Sequence, residues 1–304
     1  VIFVVYFKEN QPIIFLPLTI KKIYGIKILS WLDSPANDYC GAIIDDNLKI
    51  ENFKFQNIWN EVRSKFKFDV LFLQKINGDY IKEISIIIPS KPQLYQNTYS
   101  LNLKNLNFQN FYFNNNNSKS RETDRRKEKK INALKVSFQV IKNNIDYLKS
   151  HLKKKEEFYK IKNFKTFNSL KLFQFYDDIF KNHQNGKFEF YYSTLQNSNL
   201  KLSSIFGIKF NNIFYYLIPF VEKTTFTNLS PGKFHLIYLI KNLLNSDNYC
   251  IDFGPGDEPY KINWSNEKKS VYYMLQSYSF KGFLYYFFKK NYFKFRNVKL
   301  LKYL

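Results

Sequence analysis

SPGKFHLIYLIKNLLNSDNYCIDFGPGDEPYKINW, residues 230–264, holds the two elements that decide the fold. Ser230 reads as an N-cap, Pro231 suits a first helical turn with its fixed φ, and Gly232 lets a ligand or another backbone approach closely. The apolar run after it predicts a helix from Lys233 to Leu244. The N–H groups and positive dipole end of such a helix suit a pyrophosphate, although on three residues alone a plain helix start is the simpler reading. A short buried strand, Tyr249 to Phe253, leads into a turn, Asp252-Phe253-Gly254-Pro255-Gly256-Asp257-Glu258-Pro259-Tyr260-Lys261. Three carboxylates, a phenol and an amine crowd there, and strand ends in α/β sheets open onto crevices. Asp-Phe-Gly alone is a weak signal. A kinase reading fails because no glycine-rich loop, strand lysine or His-Arg-Asp loop precedes it.

Upstream, apolar strands are expected at 188–195, 202–209 and 213–221, the last two joined by a two-residue turn, Asn211-Asn212. The succession is three antiparallel strands, a helix, a strand and a second helical stretch. Further back, residues 1–8 and 12–20 read as a hairpin, Ile26 to Leu32 as a third strand before the turn-rich 33–38, 55–67 as a helix, and Asp69 to Leu73 as a strand. The Asn114–Asn117 run marks a loop, after which 134–141 alternates like an edge strand and 143–160 and 166–183 have helical spacing. The expected division is therefore an N-terminal half, 1–130, and a C-terminal half, 131–304. A start at Val1 instead of Met is expected to mark a missing N-terminal stretch.

The formal net charge of +22 resembles that of a nucleic-acid binder, but only five of the 47 basic residues are arginine. Arginine grips phosphate and reads bases bidentately, so a lysine-built charge argues against specific nucleic-acid recognition. Cys40 and Cys250 are too isolated for a disulfide framework, and His151, His183 and His235 share no metal-ligand spacing. A reducing, cytoplasmic setting and a metal-free site are expected. His235 lies in an apolar helix and reads as a core histidine; Cys250 reads as packing.

Ser230-Pro231-Gly232 opening a helix, with Asp252-Phe253-Gly254-x-Gly256-Asp257-x-x-Tyr260-Lys261 after the next strand, resembles the C-terminal signature of the CelD/BioF2-like acetyltransferases. These are a branch of the GNAT superfamily related to the FemABX enzymes. The first half is similar more loosely, through Leu16-Pro17-Leu18, Asp38-Tyr39, Trp59, Asp69 and the Arg125-Arg126 helix. The resemblance implies an α+β chain of two tandem GNAT-like domains with mixed, largely antiparallel sheets. It also implies acetyl-CoA or another acyl-CoA as co-substrate, and direct acyl transfer to an amine or hydroxyl of a small molecule or sugar, as in cell-surface polysaccharide assembly.

By that resemblance Ser230, Gly232, Lys233 and Lys261 are candidates for the donor's phosphates. Asp252 is the candidate base with Asp257 as its alternative, Tyr260 the acid for the leaving sulfur, and Gly254, Gly256 and Glu258 shape the acceptor side. Asp252, Asp257, Glu258, Tyr260 and Lys261 are expected to line one crevice beside the donor's thioester end. Plainer readings stand beside these: Asp252 caps a turn, Tyr260 fills core, Lys261 is solvated. Two rival functions remain. A FemABX-like enzyme would take aminoacyl-tRNA, using the net +10 of residues 119–165 and the seven basic residues of 281–304. A non-catalytic module would touch RNA or a membrane through that basic, aromatic tail, against the plainer reading of a packed helix with lysines outward.

Overall fold

The computed structural model describes residues 1–33, 37–45, 52–162, 167–182, 188–198, 200–246 and 249–296. Part of the 33–38 turn, His183 and the tail beyond 296 fall outside them. The chain divides into two compact units, Val1–Thr98 with Lys269–Leu304, and Tyr99–Lys268.

The first unit opens with β1 (Ile2–Lys8) and β2 (Gln11–Ile23), paired antiparallel across Glu9 and Asn10, both with positive φ as a tight hairpin turn requires. β3 (Ile26–Trp31) continues antiparallel, the two-residue β4 (Ile43–Ile44) pairs with β2, and α1 (Asn52–Lys65) leads to β5 (Val70–Asn77), parallel to β3. α2 (Ile81–Ile87) follows, and then β6 (Pro92–Asn102), whose last residues enter the second unit. Alternation along β5 sends Leu71 and Leu73 to one face, with Trp59 and Val62 of α1 and Ile84 and Ile87 of α2. Val70 and Phe72 face the other side.

In the second unit, α3 (Phe108–Asn115) and α4 (Ser118–Ala133) are each capped by an asparagine side chain, Asn107 and Asn117. Edge strand β7 (Ser137–Lys142), α5 (Asp146–Ile161) and α6 (Ser169–Asn182) precede β8 (Phe188–Gln196), β9 (Lys201–Phe210) and β10 (Ile213–Val221). Asn211 and Asn212 both take positive φ, as the hairpin reading expects. α7 (Pro231–Leu244) then crosses to β11 (Cys250–Pro255), and α8 (Pro259–Asn263) follows. The strand order here is β11-β10-β9-β8-β7. Among the described residues of this order β10 and β11 pair in parallel and the other neighbours antiparallel. α7 covers one face with a core of Phe234, Ile237, Leu239, Ile240, Phe214 and Phe253, and α5 lies on the other, where His151 reaches Ser204.

The second helical stretch expected after the turn is the short α8, and the chain then forms β12 (Glu267–Ser277), antiparallel to β5 and therefore mostly in the first unit. The final helix α9 (Phe280–Arg296) belongs there too, packing Phe293 against Phe72 and Tyr273. The 130/131 boundary is thus displaced. It falls inside α4, because the Asn114–Asn117 run is only the join between two helices of one unit.

Candidate functional site

A cavity of about 450 Å³ opens in the second unit. It exists because β10 and β11 pair over just three positions, Ile213 with Cys250, Phe214 with Ile251 and Tyr215 with Asp252. A register shift against β9 between Tyr216 and Ile218 lies just beyond that pairing. Tyr216, Pro219, Phe220 and Val221 of β10 and Ser203, Ser204 and Ile205 of β9 form one wall. Gly232, Lys233, His235 and Leu236 of α7 form another, and Tyr260, Asn263, Trp264 and Asn116 complete it.

At the α7 start, Ser230 is not a side-chain cap. It sits in the left-handed region (φ 58, ψ 51), makes no capping bond, and its Oγ accepts from Lys127 Nζ at 2.8 Å. The backbone does the capping: Lys233 N donates to Ser230 O. Pro231 has no N–H, so the Gly232 N–H is the first donor of the helix, and it has no acceptor among the described residues. A Cβ on Gly232 would lie 2.7 Å from Val221 Cγ2, so glycine is required by the close approach of strand and helix.

Lys233 lines the cavity but is not a free cation. Its Nζ lies 2.6 Å from Asp124 Oδ2, and the same oxygen accepts from Tyr112 Oη at 2.5 Å. Burial and the adjacent carboxylate push the Tyr112 phenol well above its ordinary value, so Tyr112 stays a donor. Asp124 was missed in the sequence. Its signal was spacing, since it lies seven residues before buried Ile131 and shares that face of α4.

The carboxylate-rich turn is tied by its own backbone and by Tyr99 of β6. Asp252 accepts from Gly254 N at 2.7 Å, and Asp257 accepts from Tyr99 Oη at 2.8 Å. Lys261 is buried, donating to Pro255 O at 2.7 Å with Glu258 Oε2 at 3.0 Å. Gly254 and Gly256 hold φ of 71° and 124°, which a side chain would resist, and a Cβ on Gly256 would strike the Glu258 carboxylate. Strand alternation turns Asp252 away from Phe253 and Tyr260. Ile251 and Phe253 point to the α7 face, and Phe253 packs edge-on against Tyr216 and Tyr260, so Asp252 points the other way. Of the ten candidate residues the cavity gathers Gly232, Lys233 and Tyr260, the last alone from the five expected in one crevice. Ser230, Asp252, Gly254, Gly256, Asp257, Glu258 and Lys261 do not line it.

The remaining polar lining is neutral. His235 bridges Ser193 Oγ (2.9 Å) and Ser203 Oγ (2.8 Å), and burial lowers its pKa to about 3, as a core histidine should show. On the opposite face His151 Nε2 donates to Ile218 O, leaving Nδ1 to accept from Ser204 Oγ; burial lowers its pKa to about 3 as well. Tyr216 is held protonated, its pKa raised first by burial and then by Tyr260. Among the described residues no group of His, Cys, Asp and Glu could hold a metal ion.

Solved structures share this architecture. The chain aligns with FemX at 12% identity over 88% of this chain and 86% of that one, with a TM-score of 0.56. L-PGS from Bacillus licheniformis aligns at 8% identity over 89% and 83%, TM-score 0.54. A conserved protein of unknown function from Bacteroides thetaiotaomicron aligns at 10% identity over 87% and 82%, TM-score 0.53. A search of curated protein sequences returned no match. Residues 118–262 match the family model described as acetyltransferase (GNAT) domain, so the chain carries a GNAT-fold acetyltransferase domain within its second unit.

Proposed function

We propose that the second unit transfers an acyl group, acetyl in the simplest case, from acyl-CoA to an amine or hydroxyl of a small molecule or sugar. The observation that carries this is the opening where β10 and β11 part, with the unpartnered Gly232 N–H at the cavity wall. Acyl-CoA would supply the thioester. On the protein side, Gly232 N–H and the α7 dipole favour a pyrophosphate, while Asp124 holds Lys233 in place and neutralises it. Tyr260, with Tyr216 beside it, is the candidate to protonate a leaving thiolate, and Phe220 and Trp264 keep the cavity apolar. The acceptor's proton passes to water and the Tyr260 phenolate regains its proton from water, since His235, its pKa lowered to about 3 by burial and both ring nitrogens bonded to serines, is too weak a base to take it.

The test relieves the clash before adding bulk. Val221→Ala makes room, and Gly232→Ala added to it should keep the melting temperature of Val221→Ala while weakening acetyl-CoA binding at least about tenfold, because the N–H remains but the added methyl beside it holds a phosphate off hydrogen-bonding distance. Equal acetyl-CoA affinity in the two variants would place the donor elsewhere.

A second reading has its own support. α4 meets the α7 start through Lys127–Ser230 and Asp124–Lys233, and it exposes Arg125, Arg126, Lys129 and Lys130. Such a face suits a polyanionic donor such as aminoacyl-tRNA. Salt-dependent tRNA binding without any acetyl-CoA binding would favour it.

A further inference from the structure

A surface helix ordinarily turns its polar face to water. α9 does the reverse. Phe280, Phe283, Leu284, Phe287, Phe288 and Tyr292 are all exposed, Phe280 at 80% and Phe288 at 71%. Their spacing of three and four residues sets them in one stripe along the helix. The opposite side is already used, with Gly282 against the Asp69 carbonyl and Phe293 in the core beside Phe72 and Tyr273. Lys289 also turns inward, over the Phe72 ring at 5.5 Å. At 100° per residue Lys281 and Lys290 flank the stripe on its two edges. No Asp or Glu occurs between 280 and 296.

We propose that this face of α9 docks onto the surface of an anionic phospholipid bilayer. Aromatic side chains bury at the headgroup boundary while flanking lysines meet lipid phosphates, and no acid opposes the approach. Among the described residues no helix is long and apolar enough to cross a membrane, so α9 lies along the surface instead of spanning. A second copy of the chain fits the stripe less well, because its flanking lysines would meet lysines with no acid between them.

Co-sedimentation with vesicles of equal parts phosphatidylcholine and phosphatidylglycerol tests this. Wild type should pellet with these vesicles and far less with phosphatidylcholine alone. Phe287→Ser with Phe288→Ser should lower the partition coefficient at least about tenfold, given the transfer energy of one buried aromatic side chain. Both positions are exposed, so the melting temperature should hold. Lys281→Gln with Lys290→Gln should weaken binding to the anionic vesicles only. The proposal is overturned if wild type stays in the supernatant, or if the double serine variant pellets equally. It is also overturned if sedimentation without lipid shows a dimer that Phe287→Ser breaks, or if the stripe retains RNA and not vesicles.

Discussion

The turn at 252–261 and the cavity wall of β10 and α7 are neighbours in the same unit, and the sequence marks the first far more loudly than the second. The turn holds three carboxylates and a lysine, yet each charge has a local use: Asp252 on Gly254 N, Asp257 on Tyr99, Lys261 on Pro255 O and Glu258. The cavity is lined by tyrosines, serines, an imidazole held neutral and one lysine already paired with Asp124. Taking charge out of water is costly unless it is paired, so the buried Lys261 is paired inside the turn, Asp252 accepts from the turn's own backbone, and Asp257 and Glu258 stay exposed to water. Uncharged groups are left to face a ligand.

The largest expected effect tests the neutrality of the buried imidazoles, His235 in that wall and His151 on the opposite face of the sheet. Burial holds His151 and His235 at a pKa of about 3, against an ordinary 6.5, so the unfolded chain binds two protons that the folded one refuses between those values. Their stabilisation is complete above pH 6.5 and is lost as pH falls toward 3, by about 1.4 kcal/mol per pH unit for each histidine. Urea unfolding between about pH 6.5 and pH 5, above most carboxylate titration, should show this steep loss. His235→Gln should remove one proton from the slope. An unchanged slope would mean that His235 is charged in the fold, and the contrast with the turn would fail.

Much of the fold was open to a local reading. Strands β8 to β10 announce themselves by apolar runs and by Asn211-Asn212, and α7 by Pro231 and its apolar run, because periodicity and turn chemistry need only near neighbours. β12 was hidden, since it begins with Glu267, Lys268 and Lys269 and earns its place by pairing with β5, almost two hundred residues earlier. The cavity was hidden for the same reason. It comes from where β10 and β11 stop pairing, which no motif records. Gly232, Lys233 and Tyr260 were legible because they flank the motif ends that reach this opening, and Asp252 misled because strand parity decides which face it takes.

A smaller effect separates structure from ligand binding at the turn. Lys261→Met keeps the buried stem but removes the donor to Pro255 O, and should cost about 2 kcal/mol in chemical denaturation. Glu258 is half exposed and can hydrate, so little more should be lost. Acetyl-CoA affinity should stay within about twofold, since no phosphate contact is removed. A tenfold loss of affinity at unchanged stability would make Lys261 a phosphate ligand and break the contrast.

The smallest effect is expected at Asp252, the most conspicuous acid in the sequence. Asn at 252 keeps an oxygen for the Gly254 N–H, so the turn survives and only the charge assistance goes, at a cost of about 1 kcal/mol or less. For a unit of this size that is a melting shift of about 2–4 °C at most. Turnover should change by less than about tenfold, because Asp252 points away from Phe253 and Tyr260 and does not line the cavity. If Asp252 were the base, the same substitution would remove the proton acceptor and lower turnover by about 10²–10⁴-fold at nearly constant acetyl-CoA affinity. Measuring turnover and melting temperature on one preparation distinguishes the two cases. A folded Asp252→Asn protein with turnover down a hundredfold would return the chemistry to the turn.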